Sequence, residues 1–293
     1  MAIRARELTG ENGLLDFVRH YLAFVERCQR PDGRFRNFMA ADGSWLEEVG
    51  SEDSHGRAIW ALGFAARHSR QTEVRIRALH CLDGVLGWVG ELSWPRAQAF
   101  ALLGLQLWHE AEPSPTLAGL IERLAGNLVA AQAGSSVPGW RWFEDELTYC
   151  NARLPQSLLA TPHAEVGLES LAWLCQVMGV DGLISLIGNH GWYRRDGRRA
   201  VYDQQPVDAC ALVSACVTAH RLSGDGRFRR WAQLGYAWFH GGNPGGRSLI
   251  DPETGGCHDG LLPDGLNQNQ GAESLLAWLL AWEDMAERGW LPA

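Results

Sequence analysis

The 293-residue sequence lacks the segments that usually separate domains or direct export. It has no Pro/Ser-rich linker, no low-complexity tract and no block of like charges, and we therefore expect one domain over residues 1–293. No run of about 18 apolar residues occurs, which argues against a membrane partner. The N-terminus, MAIRARELTGENG, lacks the apolar core of a signal peptide, so we expect a cytoplasmic protein.

Basic stripes and regularly spaced cysteines are also missing. The formal net charge is −8 at pH 7, and no basic stripe with interleaved aromatic residues indicates a nucleic-acid partner. The seven cysteines include no C-x-x-C and have no regular spacing, which argues against a disulfide framework. Most of them lie in apolar runs, where free cysteine behaves as a small hydrophobic residue. The sequence therefore predicts neither a metal nor another cofactor.

What the sequence does contain is helical periodicity, while strand signals are weak throughout. The predicted helices are 10–29, 51–67, 73–89, 93–108, 116–132, 151–161, 165–177 continuing at Gly182–Gly188, 207–222, 225–240 and 271–287. The second, fourth, sixth, eighth and tenth are apolar and rich in small residues, whereas the others carry charge on one face. A helix that is apolar all round is buried. We therefore predict an all-α fold, an (α/α) toroid or barrel of alternating inner and outer helices, with five hairpins visible and six possible.

The segment 140–155, WRWFEDELTYCNARLP, has the composition of a sugar-binding surface. It combines aromatic rings, which can stack on the C–H face of a pyranose, with acids and amides that can bind hydroxyl groups. A Gly/Ser/Pro loop precedes it and an apolar run follows, so it lies where a loop enters a helix. The alternative is a tryptophan-rich loop that only fills a helical core.

Polar residues also stand at the starts of the other apolar helices. If the inner helices are parallel, their starts open at one end of the toroid, and these side chains converge there. Capping explains some of them, but it does not explain His55, Arg57 or Arg96. The predicted substrate-binding residues are His55, Arg57, Trp94, Arg96, Trp140, Trp142, Tyr149, Asn151, Gln205, His258, Asn267, Asn269 and Gln270.

Four blocks of the sequence resemble bacterial proteins of the six-hairpin glycosidase superfamily. They are GSEDSHGRAIWALG, WRWFEDELTYCNARLP, QQPVDA and GGCHDGL followed by NQNQGAES. The resemblance covers nearly the whole chain and implies an (α/α) toroid with a carbohydrate substrate. The chain departs from a six-hairpin ring because five helix pairs are clear.

Glycoside hydrolysis usually needs two carboxylates, separated by about 5–5.5 Å for retention or about 6.5–9.5 Å for inversion. Toroid glycosidases commonly invert, so the main hypothesis is an inverting glycoside hydrolase. Asp53 and Glu144 are the first catalytic candidates. The other catalytic candidates are Asp208, Asp259 and Glu273.

Three alternatives remain open. A sugar epimerase or isomerase on the same toroid would use histidine as acid and base, and His55, His163 and His258 could serve. A non-catalytic carbohydrate-binding module is the second alternative. The third is a zinc site built on Cys257 and His258 with Asp251 or Cys150, although zinc needs three or four converging ligands.

Overall fold

The computed structural model describes residues 1–292, apart from the side chains of residues 7 and 8. The described residues form eleven α-helices and four two-residue strands, and they divide into two compact units. The N-terminal unit is Ala2–Ala130, and the C-terminal unit is Ala131–Ala293 together with Met1. The prediction of a single domain stays a prediction.

Eleven helices follow one another along the described chain. They are α1 Ala2–Thr9, α2 Leu14–Cys28, α3 Glu52–His68, α4 Thr72–Asp83, α5 Pro95–Ala111, α6 Pro115–Ser135, α7 Arg153–Leu158, α8 Ala164–Met178, α9 Pro206–Ser223, α10 Gly226–Phe239 and α11 Ala272–Glu287. All ten predicted helical segments contain a helix. The structure adds α1, which the sequence analysis did not predict, and ends α4 at Asp83, before the predicted end. Among the described residues, no helix is both long enough and apolar enough to cross a membrane.

The predicted continuation of the seventh helix over Gly182–Gly188 is wrong. Strands β2, Gly179–Val180, and β3, Leu183–Ile184, pair there as an antiparallel hairpin. Asp181 and Gly182 between them have φ angles of 49° and 81°, which a right-handed helix cannot accommodate. An Asp-Gly pair with both residues at positive φ is the preferred two-residue turn of a β-hairpin.

In the N-terminal unit, α3 and α5 lie side by side and run parallel. The Glu52 carboxylate at the start of α3 accepts hydrogen bonds from the backbone N–H groups of Ser93 and Trp94 at the start of α5, at 2.8 and 3.0 Å. Near their other ends, Arg67 donates to Glu110 at 3.1 Å. Both helices are rich in small residues, which allows this close approach and confirms the prediction that small residues bring these apolar helices together.

In the C-terminal unit, α9 packs against both α10 and α11 and is buried along most of its length. Helix α7 is buried at every residue. Helix α11, which we expected to be apolar and buried all round, buries one face through Ser274, Ala277 and Ala281 but leaves Leu276 40% exposed. The alternation of buried and amphipathic helices therefore holds for α7 and α9 and is weaker for α11.

A second pair of strands, distant in sequence, fastens the aromatic segment 140–155. Strand β1, Glu146–Leu147, pairs antiparallel with β4, Tyr193–Arg194. Arg194 also donates to the Glu146 carboxylate at 3.2 Å. The segment is thereby held against the loop that follows β3.

Candidate functional site

A cleft of about 180 Å³ opens in the C-terminal unit between the first turns of α9 and α11. We call it the α9–α11 cleft. Its lining residues are Gln205, Pro206, Val207, Asp259, Asn267, Gly271, Glu273 and Ser274. Four of them, Gln205, Asp259, Asn267 and Glu273, are predicted site residues. The structure thus brings together predicted residues that lie up to 68 positions apart, from 205 to 273.

Backbone hydrogen bonds join the two segments that lead into α9 and α11, on either side of the cleft. Gln204 and Leu261 exchange N–H···O hydrogen bonds of 3.1 and 2.9 Å, and this joins the start of α9 to the loop before α11. Pro206 occupies the first turn of α9, where a missing N–H costs nothing. Gly271 is the residue that precedes α11. The two helices therefore start next to each other. Because they also pack along their length, α9 and α11 run parallel.

Gln204 is a buried hub that the sequence analysis did not include among the site residues. Its side-chain oxygen accepts from the Leu186 N–H at 2.9 Å and from the Trp238 indole N–H at 2.8 Å. Its amide nitrogen donates to the Val201 carbonyl and to the Ser185 hydroxyl. Every polar atom of this side chain is thus engaged, and the adjacent Gln205 is held at the edge of the cleft.

The Asp259 carboxylate is fully engaged by the protein itself. One oxygen accepts from the Gly271 N–H at 2.7 Å and from the Ser274 hydroxyl at 2.6 Å, and Asn269 donates to the other. Burial would raise the pKa of Asp259, but these hydrogen bonds and the nearby His258 outweigh it and lower the pKa below its ordinary value. Asp259 is therefore ionised at neutral pH and cannot serve there as a proton donor.

Glu273 is the more accessible acid of the cleft. It lies in the first turn of α11, and its side chain is exposed. A carboxylate in the first turn also interacts favourably with the positive end of the helix dipole. Its position allows contact with a molecule bound in the cleft.

His258 contacts two residues that line the cleft, Asn267 and Asp259. Its Nδ1 lies 3.0 Å from the backbone carbonyl oxygen of Asn267, a lining residue, and its chain neighbour Asp259 is another. A carbonyl oxygen only accepts hydrogen bonds, so we assign the proton of the neutral ring to Nδ1. The lone pair then lies on Nε2, which is the nitrogen that could accept a proton.

The remaining predicted residues of this loop stabilise it. Gln270 donates to the Asp251 carboxylate at 2.8 Å, and the Thr254 hydroxyl donates to the Gln270 side-chain oxygen at 3.0 Å. The hydrogen bond from Gln270 is the main cause that lowers the pKa of Asp251 to about 2. Asn269, as described above, donates to Asp259. These side chains define the shape of the loop that carries His258 and Asn267.

The aromatic segment does not present its tryptophan rings as predicted. Trp140 is 3% exposed and its ring contacts Trp173 and Tyr193, with centroids 5.2 and 5.3 Å apart. Trp142 is 0% exposed and packs against Trp173 and Phe143. The Trp140 indole N–H also donates to the Glu144 backbone carbonyl at 2.9 Å. Other protein groups cover both rings, so they are not free to stack on a sugar. The alternative, a loop that fills the core, fits them better.

Other predicted residues of the C-terminal unit do not line the α9–α11 cleft. Asn151 closes a turn through two hydrogen bonds with the backbone of Thr148, at 3.0 and 2.7 Å. The Tyr149 ring lies 6.4 Å from that of Trp192. Asp208 is buried in the first turn of α9, and Glu144 is half-buried. Their predicted roles stay predictions.

The predicted residues of the N-terminal unit cluster at the shared start of α3 and α5. Asp53 and Arg57 form an ion pair of 2.6 Å, and the Arg57 guanidinium lies 4.4 Å from the centroid of the Phe100 ring. His55 is 3% exposed, and Arg96 is also buried. Burial, together with Arg34, lowers the pKa of His55, so this imidazole is neutral at pH 7.

Trp94 differs from its neighbours because it is 68% exposed. An exposed indole beside these charged groups remains a candidate for stacking on a ligand. The predicted convergence of all five polar segments on one mouth stays a prediction.

The residues proposed for a zinc site do not form one. Among the side chains that the structure describes, no group of three or more from His, Cys, Asp or Glu is placed to hold a metal ion. The Cys257 thiol is buried, and burial raises its pKa to about 12, with a smaller contribution from Asp259. The geometry therefore speaks against the zinc alternative.

Comparison with known proteins finds similar structures but no similar sequences. No protein-family model matches the chain, and no curated protein matches its sequence. A sugar epimerase from a ruminal bacterium matches with a TM-score of 0.74 and 14% identity, covering 100% of this chain and 86% of that one. The cellobiose 2-epimerase from Spirochaeta thermophila matches with a TM-score of 0.69 and 14% identity, over 97% and 82% of the two chains. A glycosyl hydrolase of family 88 from Bacteroides vulgatus matches with a TM-score of 0.63 and 10% identity, over 98% and 89%.

These likenesses show the fold. The chain has an (α/α) toroid fold, as the sequence predicts.

Proposed function

We propose that this chain is a carbohydrate-active enzyme that interconverts free sugars, as an epimerase or isomerase does, in the α9–α11 cleft. The observation that carries the proposal is the hydrogen bond of His258 Nδ1 to the backbone carbonyl of Asn267, a lining residue of the cleft, which leaves the lone pair of the neutral ring on Nε2. The likeness to two sugar epimerases supports this reaction class over hydrolysis. An imidazole is also suited to proton transfer near neutral pH.

The chemistry would begin with the open-chain form of the sugar. Nε2 of His258 would remove the proton from the carbon next to the carbonyl group, and the electron pair would move onto the carbonyl oxygen to give an enediolate. Transfer of the adjacent hydroxyl proton to the enediolate oxygen, followed by return of the proton from His258 to the former carbonyl carbon, isomerises the sugar. Addition of a proton from solvent to the opposite face of the carbon that lost its proton epimerises it.

The amino-acid composition excludes a reaction through a Schiff base between the sugar and a lysine of this chain. The chain contains no lysine, so all 26 of its basic residues other than histidine are arginines. Sugar enzymes that form a Schiff base need a lysine amine. Acid–base chemistry at histidine and carboxylate side chains is therefore the route for which this chain has the groups.

Other polar residues of the cleft would bind the sugar. Gln205, Asn267 and Ser274 offer amide and hydroxyl groups to the sugar hydroxyls. Asp259 would hold the loop and the start of α11 in place, because its oxygens already accept three hydrogen bonds. A volume of about 180 Å³ is smaller than the roughly 300–1,000 Å³ of pockets for drug-sized ligands, which suits a monosaccharide unit.

The test is to incubate the protein in D₂O with glucose, mannose, fructose and cellobiose and to follow the products by NMR. We expect interconversion of at least one sugar, with deuterium incorporated next to the carbonyl carbon. His258→Gln should lower the rate by about 10²–10⁴-fold. His190→Gln, an exposed histidine of the same unit, is the matched control and should leave the rate unchanged. Equal rates for both variants would show that His258 is not the base.

Glycoside hydrolysis is the second candidate, supported by the likeness to the family 88 glycosyl hydrolase and by two carboxylates in the cleft. Since Asp259 is held ionised, Glu273 would be the acid and Asp259 at most a base or a binding group. A screen on an oligosaccharide panel tests this. Hydrolysis that is lost in Glu273→Gln would favour it over interconversion, and full hydrolytic activity in both Asp53→Asn and Glu144→Gln would contradict the catalytic pair predicted first.

A further inference from the structure

We infer that the α9–α11 cleft selects sugars by charge: it accepts neutral and amine-bearing sugars and rejects those that carry a carboxylate or a phosphate. This inference rests on the proposed function, because it concerns the sugar bound in the same cleft. It follows from which charged groups line the cleft and from how the two helix starts are already engaged.

The lining contains acids and no cationic side chain. Asp259 and Glu273 are the charged residues among the eight that line the cleft, and the others are neutral. Asp259 stays ionised at neutral pH because its hydrogen bonds lower its pKa. A bound carboxylate or phosphate would therefore face two negative charges at short range, with no arginine among the lining residues to offset them.

The two helix starts do not compensate for this. A helix start usually attracts anions through its free N–H groups and its dipole. At α11, the Gly271 N–H is already bonded to Asp259, and Glu273 lies in the first turn. At α9, Pro206 has no N–H, the Asp208 N–H is bonded to the Gln205 carbonyl, and the Asp208 carboxylate is itself in the first turn. The protein's own acids thus take one N–H group at the start of α11 and place negative charge in the first turn of both helices, where it opposes a bound anion.

An amine-bearing sugar is attracted by the charges that repel an anionic sugar. Its ammonium group would be attracted by Asp259 and Glu273, and Gln205 and Asn267 can accept hydrogen bonds from it through their side-chain oxygens. A neutral sugar uses the same amide, hydroxyl and carboxylate groups without a charge term. The expected order of affinity is therefore glucosamine, then glucose, then glucuronate or glucose 6-phosphate.

The test measures binding rather than turnover, so that it does not depend on which reaction occurs. Isothermal titration calorimetry at pH 7 compares D-glucose with D-glucuronate, D-glucose 6-phosphate and D-glucosamine, which share one ring. We expect glucuronate and the phosphate to bind at least about tenfold more weakly than glucose, and glucosamine at least as tightly. In Glu273→Gln the ratio of the glucose affinity to the glucuronate affinity should fall about threefold. In the unsubstituted protein the same ratio should fall as salt is added.

Glu287→Gln is the matched control because it removes the same charge from the other end of α11. The two residues are 14 positions apart, or about 21 Å along a helix, which exceeds the Debye length of about 8 Å in physiological salt. This variant should leave the ratio unchanged. Glucuronate binding as tightly as glucose would overturn charge selection while the proposed site stands. If none of the four sugars binds, the proposed site and this inference both fail.

Discussion

The Asp259 carboxylate and the Ser274 hydroxyl form a hydrogen bond of 2.6 Å that joins a loop to the first turn of α11. The same carboxylate oxygen accepts from the Gly271 N–H, so one side chain replaces the missing intrahelical partner at the start of the helix. Residues 259 and 274 thereby hold the wall of the cleft that carries Glu273. A catalytic candidate of the sequence analysis is, by its contacts, a helix cap.

Replacing Asp259 with asparagine should therefore destabilise the protein. The amide keeps one acceptor oxygen but turns an NH₂ group toward the Asn269 amide, and we expect a loss of about 1–2 kcal/mol in the free energy of unfolding at pH 7. Because the folded-state pKa is lowered, the stabilisation is complete above the ordinary pKa of 3.8 and is lost as the pH falls through the lowered value. Urea unfolding at several pH values should show the two proteins converging below about pH 4. A difference that stays constant with pH would contradict this role.

Gln204 and Gln205 are adjacent, but their side chains should have separable effects. Gln204→Leu leaves the buried donors of Trp238 and Leu186 without their acceptor, and we expect it to lower the free energy of unfolding by about 2–5 kcal/mol. Gln205→Ala removes a lining side chain that supports no part of this network. Its unfolding free energy should change by less than about 0.5 kcal/mol, whereas sugar affinity should fall about tenfold.

Denaturant unfolding and sugar titration of the two variants check this prediction together. A stable Gln204→Leu protein would show that the buried network is not required for folding. Unchanged sugar binding in Gln205→Ala would remove Gln205 from the site.

The elements that could be predicted from the sequence are those whose signal is local. Ser51, Glu52 and Asp53 mark the start of α3, and small residues along α3 and α5 indicate a close pair of buried helices. The lining residues Gln205, Asp259, Asn267 and Glu273 could also be found, because polar side chains at the start of an apolar helix stand out in sequence. Their assembly into one cleft depends on the parallel packing of α9 and α11, which that pattern also indicated.

The errors concern residues whose role depends on distant partners. The Asp181-Gly182 turn was available as a local signal, but the apolar run after it was interpreted as helix. Trp142 beside acids indicated a sugar surface, yet Trp173, 31 positions away, covers its ring. The role of Asp259 as a cap depends on Ser274, 15 positions further on. No local pattern states which tertiary neighbour a side chain meets.

The cysteines should be unreactive in the folded protein. All seven are free and buried, and burial raises the pKa of Cys81 to about 11 and that of Cys257 to about 12. Because the thiolate is the reactive form, we expect no rapid reaction of the folded protein with Ellman's reagent at pH 8. In urea all seven thiols should react, releasing seven equivalents of the coloured thionitrobenzoate anion. The measurement is the time course of absorbance with and without denaturant. A thiol that reacts within seconds in the native protein would contradict the burial.

Gly63 of α3 and Gly104 of α5 should set how closely these two helices approach. A Cβ added at Gly63 would lie 2.2 Å from the Gly104 carbonyl oxygen, so Gly63→Ala must push the helices apart. We expect this overpacking to lower the free energy of unfolding by about 1–3 kcal/mol, although alanine is the better helix former. Gly119→Ala in α6 is the matched control, because nothing lies within 4 Å of the added methyl group. It should stabilise the protein by about 0.5–1 kcal/mol, and urea midpoints that move in the same direction for both variants would show that α3 and α5 are not packed this closely in solution.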